Sequence, residues 1–195
     1  MAKRIHSSSW NQDPAKARAP ARRGRGSRAR TSSRAAMHDP AVLEESLLDI
    51  LRRRLPEQDT SGFTLADFAY AAGSPVDALL YSRLFWPELA EVDGAILLRD
   101  GVEDEDDLAR VRASVRERGP VETERRFNLR ELSDLFGNGL AEIDDDHAEV
   151  LLARLAEMWR GRLHERFPER RFTVEVLTAD ETGGDIGICF HQSGA

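Results

Sequence analysis

The sequence predicts a helix-rich α+β domain that follows a basic N-terminal tail. Apolar residues recur at helical spacing near the C-terminus, which predicts one long helix over about 146–166. The next two runs, 172–176 and 186–190, alternate apolar with polar residues, as the strands of an antiparallel hairpin do. Because a bare hairpin is only marginally stable, we expect its apolar face to pack on the long helix, on the side that carries Trp159.

Shorter helices are predicted ahead of these elements, and the first begins at Asp39-Pro40. An aspartate that can cap the helix precedes a proline at the first helical position. Leucine and isoleucine then recur at helical spacing, and arginines occupy the last turn, where cations suit the helix dipole. Pro56 ends this helix.

Two later segments share one design for a helix start. Residues 63–68 and 127–132 each combine an aromatic residue, a capping residue and an acid three positions later, which is typical of a capping box with a hydrophobic staple. In the second segment the predicted cap is Asn128. Both runs stop at a glycine, Gly73 or Gly137, which we expect to adopt a left-handed helix cap.

The middle of the chain predicts another helix, a turn, a strand and a further helix. Ser74-Pro75 opens the helix, which ends near Trp86 because a proline follows. A turn over 92–94 leads into a short buried strand at 95–98. Five consecutive acids, residues 103–107, favour a helix N-terminus.

The charge of the chain is divided unevenly. The 195 residues carry a net charge of −7, with 41% hydrophobic and 32% charged residues. Residues 1–36 contain ten lysines and arginines against one acid, a net charge of +9. Residues 37–195 contain 18 cations against 34 acids, a net charge of −16. We therefore expect two parts, a disordered Arg/Ser-rich tail over 1–36 and a single acidic α+β domain over 37–195.

The tail has three interpretations that the sequence leaves open. Its arginines suit sequence-independent contact with nucleic-acid phosphates. Its richness in arginine and serine also fits an organelle-targeting peptide. Alternatively, Met37 rather than Met1 is the true start of the protein. The candidate phosphate-binding residues in the tail are Arg22, Arg23, Arg25, Arg28 and Arg30.

A helix-turn-helix is the sharpest functional pattern in the domain. Residues 65–85 combine a helix, a glycine turn and a second helix with an apolar inner face. The second helix, however, offers only Arg83 for contact with DNA, and Asp77 opposes it. We therefore favour two core helices joined by a tight turn over a DNA-reading unit.

Two other clusters of polar residues could form a metal or catalytic site, but a structural role is favoured for each. The acids and histidine of 142–147 have the ligand types of a cation site, but consecutive residues cannot all face one ion, so helix capping is favoured. Cys189 and His191 share one face of a predicted strand, which would suit a cysteine nucleophile, although a buried structural cysteine is commoner. No motif for a metal or a cofactor occurs, and we expect neither.

The function predicted from these features is non-enzymatic binding of a basic protein by an acidic surface. The alternative is a nucleic-acid-associated regulator that uses the tail and residues 65–85, and the third is an enzyme without a recognisable motif. The single cysteine excludes an intrachain disulfide and indicates a cytoplasmic protein, and no apolar run is long enough to span a membrane. The candidate binding residues are Trp86, Tyr81 and Arg83, with core packing as the alternative for Trp86.

Overall fold

The computed structural model describes residues 39–193, which form a helix-rich α+β fold as predicted. Within this range there are eight α-helices and two small antiparallel sheets. The helices are α1 (Pro40–Arg52), α2 (Leu65–Ala72), α3 (Pro75–Phe85), α4 (Glu105–Arg118), α5 (Pro120–Phe127), α6 (Leu132–Phe136), α7 (Asp145–Arg166) and α8 (Ala179–Thr182). The strands are β1 (Leu89–Val92), β2 (Ala95–Leu98), β3 (Arg130–Glu131), β4 (Phe172–Leu177) and β5 (Gly187–Gln192).

The long helix and the C-terminal hairpin are confirmed, and they form the main core. β4 and β5 pair antiparallel, with Val174 opposite Phe190. α7 buries one apolar side, on which the indole of Trp159 meets the Phe190 ring edge-to-face at 5.8 Å. The packing of the hairpin on the Trp159 side of the helix is therefore as the sequence predicts.

The predicted turn and buried strand at 92–98 form part of a second sheet. β1 pairs antiparallel with β2, and the turn between them has positive φ at Asp93 and at Gly94. Two consecutive residues with positive φ are the requirement of a tight two-residue hairpin turn, which an Asp-Gly pair satisfies. All four residues of β2 are buried.

Two buried polar side chains, one on α5 and one on the residue that caps its C-terminus, join the two sheets. A Glu124 carboxylate oxygen accepts a hydrogen bond from the Ile96 N–H at 2.7 Å, and the other accepts from the Gln192 N–H at 2.6 Å. Asn128, one helical turn later, accepts from the Leu98 N–H at 3.0 Å and donates to the Ile96 carbonyl at 2.8 Å. Both side chains are fully buried. They occupy the edge of β2 that faces away from β1, where unpaired strand groups would otherwise be costly.

The prediction of a capping box over 127–132 is wrong, because Asn128 serves this bridge. Asn128 is the last-turn cap of α5, and the chain then forms the two-residue strand β3 beside β5. The predicted reach of Glu131 back to the helix start is also absent, since its carboxylate accepts from the Asp185 N–H at 3.3 Å. The helix α6 starts only at Leu132.

The capping hydrogen bonds predicted for the first two helices are confirmed. Asp39 accepts from the Ala41 N–H, and Thr64 and Asp67 complete the predicted capping box of α2. The staple is present as well, with the Phe63 and Phe68 ring centroids 5.2 Å apart.

The glycine caps differ from their prediction. Gly73 is extended at φ −73°, not left-handed, because α3 starts immediately after it. Gly137 has φ +51° with ψ −127°, which is a positive φ outside the left-handed helical region. The two helix ends therefore do not share the predicted cap.

Two further expectations concern the N-terminal tail and membrane association. The tail, with its candidate phosphate-binding arginines, lies outside the described residues. Within 39–193, no helix combines the length and the apolar character needed to cross a membrane.

Candidate protein-contact surface

The helix α3 is exposed along most of its length. None of its 11 residues is buried. Val76, Leu79 and Leu80 are 73%, 70% and 63% exposed, although each is a large apolar side chain. Helices of this composition normally bury such residues, so their exposure needs a physical account.

The exposed residues form a stripe with the spacing of a packed helix. Positions 76, 79 and 80 follow the i, i+3, i+4 pattern that places side chains on one side of a helix. Phe85 lies on the other side, and Leu84, one turn after Leu80, lies at the border between the two sides; both are half-buried. The helix is thus apolar on two sides, with one side against the domain and the other in solvent.

Contacts at the C-terminal end hold α3 on the domain. The Trp159 indole N–H donates to the Leu84 carbonyl at 3.0 Å, and the Arg162 Nε–H donates to the Pro87 carbonyl at 3.1 Å. The last carbonyls of a helix lack partners within the helix, so such bonds are favourable. Tyr81 adds a ring contact with Phe136 at 6.0 Å. These bonds position the helix while leaving its outer stripe uncovered.

The preceding helix extends the exposed apolar area. α2 buries only Phe68, and Tyr70 on its outer side is 95% exposed. We name these exposed side chains together the α2–α3 face. It consists of the exposed large apolar side chains of these two helices and of the residue that follows them, namely Leu65, Tyr70, Val76, Leu79, Leu80, Tyr81 and Trp86.

Two of the three residues that the sequence singles out belong to this face. Tyr81 is 42% exposed and Trp86 is 43% exposed. Trp86 is also partly packed, because its ring lies against Gly161 of α7 and the Arg162 guanidinium sits 5.8 Å from the ring centroid. The binding and packing interpretations of Trp86 thus each describe one part of the ring.

Arg83, the third candidate, is engaged in an ion pair. Its guanidinium lies 2.9 Å from the Glu88 carboxylate, and both side chains are exposed. It is the only cation of α3, and Asp77 occupies the first turn of the same helix. The surface therefore lacks the cations that contact with DNA phosphates requires.

The charge of the α2–α3 face differs from that of the domain. Residues 65–86 contain two acids and one cation, a net charge of −1, against −16 for residues 37–195. One of these acids, Asp67, is committed to the capping box, where hydrogen bonds from the Thr64 hydroxyl and N–H lower its pKa. The face is thus nearly neutral on a strongly acidic domain.

Val76, Leu79 and Leu80 are not among the candidate binding residues predicted from the sequence. The apolar side of this helix was expected to face inward, and the structure exposes these three residues instead. The available signal was the second apolar group on the same short helix, Tyr81, Leu84 and Phe85. A helix with two apolar sides has to bury both or expose one.

The cysteine and histidine on β5 are buried in a setting that suppresses thiolate formation. Cys189 donates to the Arg125 carbonyl at 3.3 Å, and His191 Nε2 lies 3.7 Å from a Glu175 carboxylate oxygen. Burial, followed by the charge of Glu175, raises the pKa of the Cys189 thiol to about 12. Because the thiolate is the nucleophile, this thiol is poorly suited to nucleophilic catalysis at neutral pH.

The acidic segment at 142–147 serves as the start of α7. Asp144 accepts from the His147 N–H at 3.0 Å and lies 2.7 Å from His147 Nδ1, so the predicted capping role is confirmed. The other ring nitrogen of His147 contacts the Ser46 hydroxyl at 2.9 Å, which ties α1 to α7. In the part of the chain that the structure describes, no three His, Cys, Asp or Glu side chains form a metal-binding group.

No protein-family description, curated protein or solved structure matches this chain.

Proposed function

We propose that this chain is a non-enzymatic protein-interaction protein and that the α2–α3 face is its contact surface. The observation that carries the proposal is the outward stripe of Val76, Leu79 and Leu80 on a helix whose other side is anchored to the domain. Burying an aliphatic side chain of this size stabilises an assembly by about 1.5–3 kcal/mol. A partner that covers the stripe thus gains most of its binding energy from a few central residues.

The composition of the face supports a protein contact rather than a small-molecule site. Tyrosine, tryptophan and leucine are exposed together on two short helices. Aromatic residues are enriched at the centres of protein interfaces, and charged residues are depleted there. Tyr70, Tyr81 and Trp86 supply the aromatic part, and the net charge of residues 65–86 is only −1.

The charge of the domain supports a basic protein as a partner, and the single cysteine supports a cytoplasmic setting. Residues 37–195 carry −16. Such a field accelerates encounter with a positively charged protein and disfavours contact with nucleic acid. A nucleic-acid role for the domain gains no support from α3, where the single cation already pairs with Glu88.

Affinity purification with matched variants tests this function. The tagged full-length chain is compared with a Leu79→Ser/Leu80→Ser variant and with Met158→Ser. Met158 is a suitable control because it is an apolar residue of α7 that is 41% exposed. We expect the wild type and the control to retain a defined set of co-purified proteins that the double variant loses. A second copy of the chain with a different tag counts as one of these proteins. Retention of the same set by all three proteins contradicts the proposal.

A further inference from the structure

A serine, a histidine and an aspartate form a hydrogen-bonded chain between α1 and the start of α7. The Ser46 hydroxyl lies 2.9 Å from His147 Nε2, and His147 Nδ1 lies 2.7 Å from an Asp144 carboxylate oxygen. Both distances fall in the range of roughly 2.6–3.2 Å that joins a nucleophile to its base. A hydroxyl, an imidazole and an orienting carboxylate in this order are the arrangement that activates a serine for acyl transfer.

The Asp144 carboxylate decides which ring nitrogen of His147 carries the proton. An ionised carboxylate only accepts hydrogen bonds, so Nδ1 carries the hydrogen and Nε2 of the neutral ring is an acceptor. Desolvation of Asp144 is outweighed by hydrogen bonds from His147, which lower the pKa of this carboxyl. The Ser46 hydroxyl therefore donates to Nε2, which is the direction that removal of its proton requires.

The base is fixed in place, and the hydroxyl can be reached from solvent. His147 is 7% exposed, and its backbone N–H also donates to Asp144, at 3.0 Å. Ser46 is half-buried in the middle of α1. The backbone N–H groups around Ser46 bond within this helix, so they do not stabilise an oxyanion. We therefore expect reaction with carbonyl compounds that carry a good leaving group.

An apolar groove between α1, α2 and α7 lies next to this chain of hydrogen bonds. Its volume is about 370 Å³, and its lining begins one residue after Ser46 and one helical turn after His147. The apolar part of the lining consists of Pro40, Leu43, Leu47, Leu65, Val150 and Ala153. The exposed charged residues Glu44, Arg154 and Glu157 complete it. A mainly aliphatic lining suits an alkyl chain.

We propose that Ser46 is a nucleophile that takes up the acyl group of an activated aliphatic ester, with His147 as its general base and Asp144 as the positioning residue. Ser46 Oγ bonds to the ester carbonyl carbon, and the bond from that carbon to the leaving oxygen breaks. The hydroxyl proton passes to His147 Nε2 and then to the leaving oxygen, which departs as an alcohol. The proposal goes beyond the proposed function and does not depend on it, since none of the three residues belongs to the α2–α3 face.

Labelling of the full-length chain with an alkyl fluorophosphonate tests the nucleophile. This reagent loses fluoride when a serine oxygen bonds to its phosphorus, and peptide mass spectrometry locates the product. We expect the label on Ser46 and its loss in Ser46→Ala. Ser82→Ala is the control and should keep the label, because Ser82 is a helical serine whose hydroxyl donates to the Leu79 carbonyl instead of to a histidine.

An ester substrate supplies the second measurement. We expect p-nitrophenyl octanoate to release at least one equivalent of p-nitrophenolate per chain from the wild type and from Ser82→Ala. Ser46→Ala should show only the rate of the uncatalysed reaction in buffer.

Two further variants separate activation of the serine from capping of α7. His147→Gln keeps a polar side chain without a base, and we expect it to slow the labelling of Ser46 by about 100-fold or more. Asp144→Asn caps a helix as well as aspartate does, so the melting temperature should stay unchanged. Its amide does not hold the histidine in the required tautomer, and we expect labelling at least about tenfold slower.

The rates decide the proposal. Labelling of Ser46 no faster than that of Ser82 in the same chain overturns it and leaves the serine contact as a link between two helices. An unchanged labelling rate in Asp144→Asn and His147→Gln overturns it as well. Circular dichroism melting shows that each variant is folded, and Asp144→Asn decides the role of the chain of hydrogen bonds if His147→Gln is unfolded.

Discussion

The indole N–H of Trp159 donates to the backbone carbonyl of Leu84 at 3.0 Å and thereby fixes the last turn of α3 to α7. Leu84 is among the last four residues of its helix, so its carbonyl lacks a partner within α3. The bond explains how a helix without a buried residue keeps a defined position on the domain. It also places the outer stripe of α3 in solvent on a rigid support.

Loss of this bond should loosen α3 selectively. We expect Trp159→Phe to accelerate amide hydrogen exchange in α3 by about tenfold relative to α4, since a hydrogen bond of this kind contributes about 0.5–1.5 kcal/mol. Phe172→Leu is the control, because it alters another ring that packs on Phe190 and leaves the Trp159–Leu84 hydrogen bond in place. Equal acceleration in α3 and α4 for Trp159→Phe would show that the bond does not anchor the helix.

The exposed leucines should contribute little to folding. We expect Leu79→Ser to change the free energy of unfolding by less than about 0.5 kcal/mol, as surface substitutions usually do. Phe68→Ala on the neighbouring helix should cost about 3–5 kcal/mol, because Phe68 is only 2% exposed. Urea denaturation of the two variants at dilute concentration measures both values. A large cost for Leu79→Ser would mean that the stripe packs within the chain.

Much of the fold could be predicted from the sequence because local chemistry decides it. The capping box at Thr64 and Asp67 and the apolar alternation of β4 and β5 act over a few residues, and the periodicity of α7 acts within one helix. The prediction failed at Asn128, because an asparagine at this position can cap a following helix or bind the backbone of distant strands, and the local sequence does not decide between the two. Its choice depends on Ile96 and Phe190, whose carbonyls it binds from 32 and 62 residues away.

The candidate contact surface could be predicted only in part, for a related reason. Periodicity finds the stripe of Val76, Leu79 and Leu80 but does not say which side of α3 the domain covers. That side is selected by Trp159 and Phe136, which are distant in sequence. Trp86 was chosen as a candidate because exposed aromatics are typical interface anchors, and Tyr81 because it belongs to the 65–85 segment; their binding role stays a prediction.

The buried carboxylate of Glu124 predicts a pH-dependent stability. Burial raises its pKa above the ordinary value of 4.5, although hydrogen bonds from Gln192 and Ile96 oppose the rise. Between the unfolded and folded pKa values the native state binds more protons than the unfolded chain, so the free energy of unfolding falls as the pH rises through that window. Above the folded pKa the difference is constant.

Glu124→Gln should remove this contribution. We expect the variant to be destabilised by about 1–3 kcal/mol at neutral pH. In the wild type each carboxylate oxygen accepts a hydrogen bond from a backbone N–H, and in the variant one of these N–H donors faces an amide nitrogen that cannot accept. The stability difference between wild type and variant should shrink as the pH rises from 4.5, and urea denaturation over a pH series measures it. A difference that does not change with pH contradicts the assignment.

Cys189 should be unreactive in the folded protein. Burial raises the pKa of its thiol to about 12, so little thiolate is present at neutral pH. We expect a thiol reagent such as dithionitrobenzoate to label the chain rapidly in denaturant and far more slowly without it. Rapid labelling of the native chain would show an accessible thiolate and would favour the enzyme hypothesis.

The most direct measurement of the central claim is site-specific photo-crosslinking in the source cell. Benzoylphenylalanine replaces Leu80 on the α2–α3 face in one experiment and Met158 on α7 in a parallel control. The account predicts that position 80 yields one or a few discrete crosslinked protein species and that position 158 does not. The same weak, unspecific pattern at both positions would contradict the claim that the α2–α3 face is a protein-contact surface.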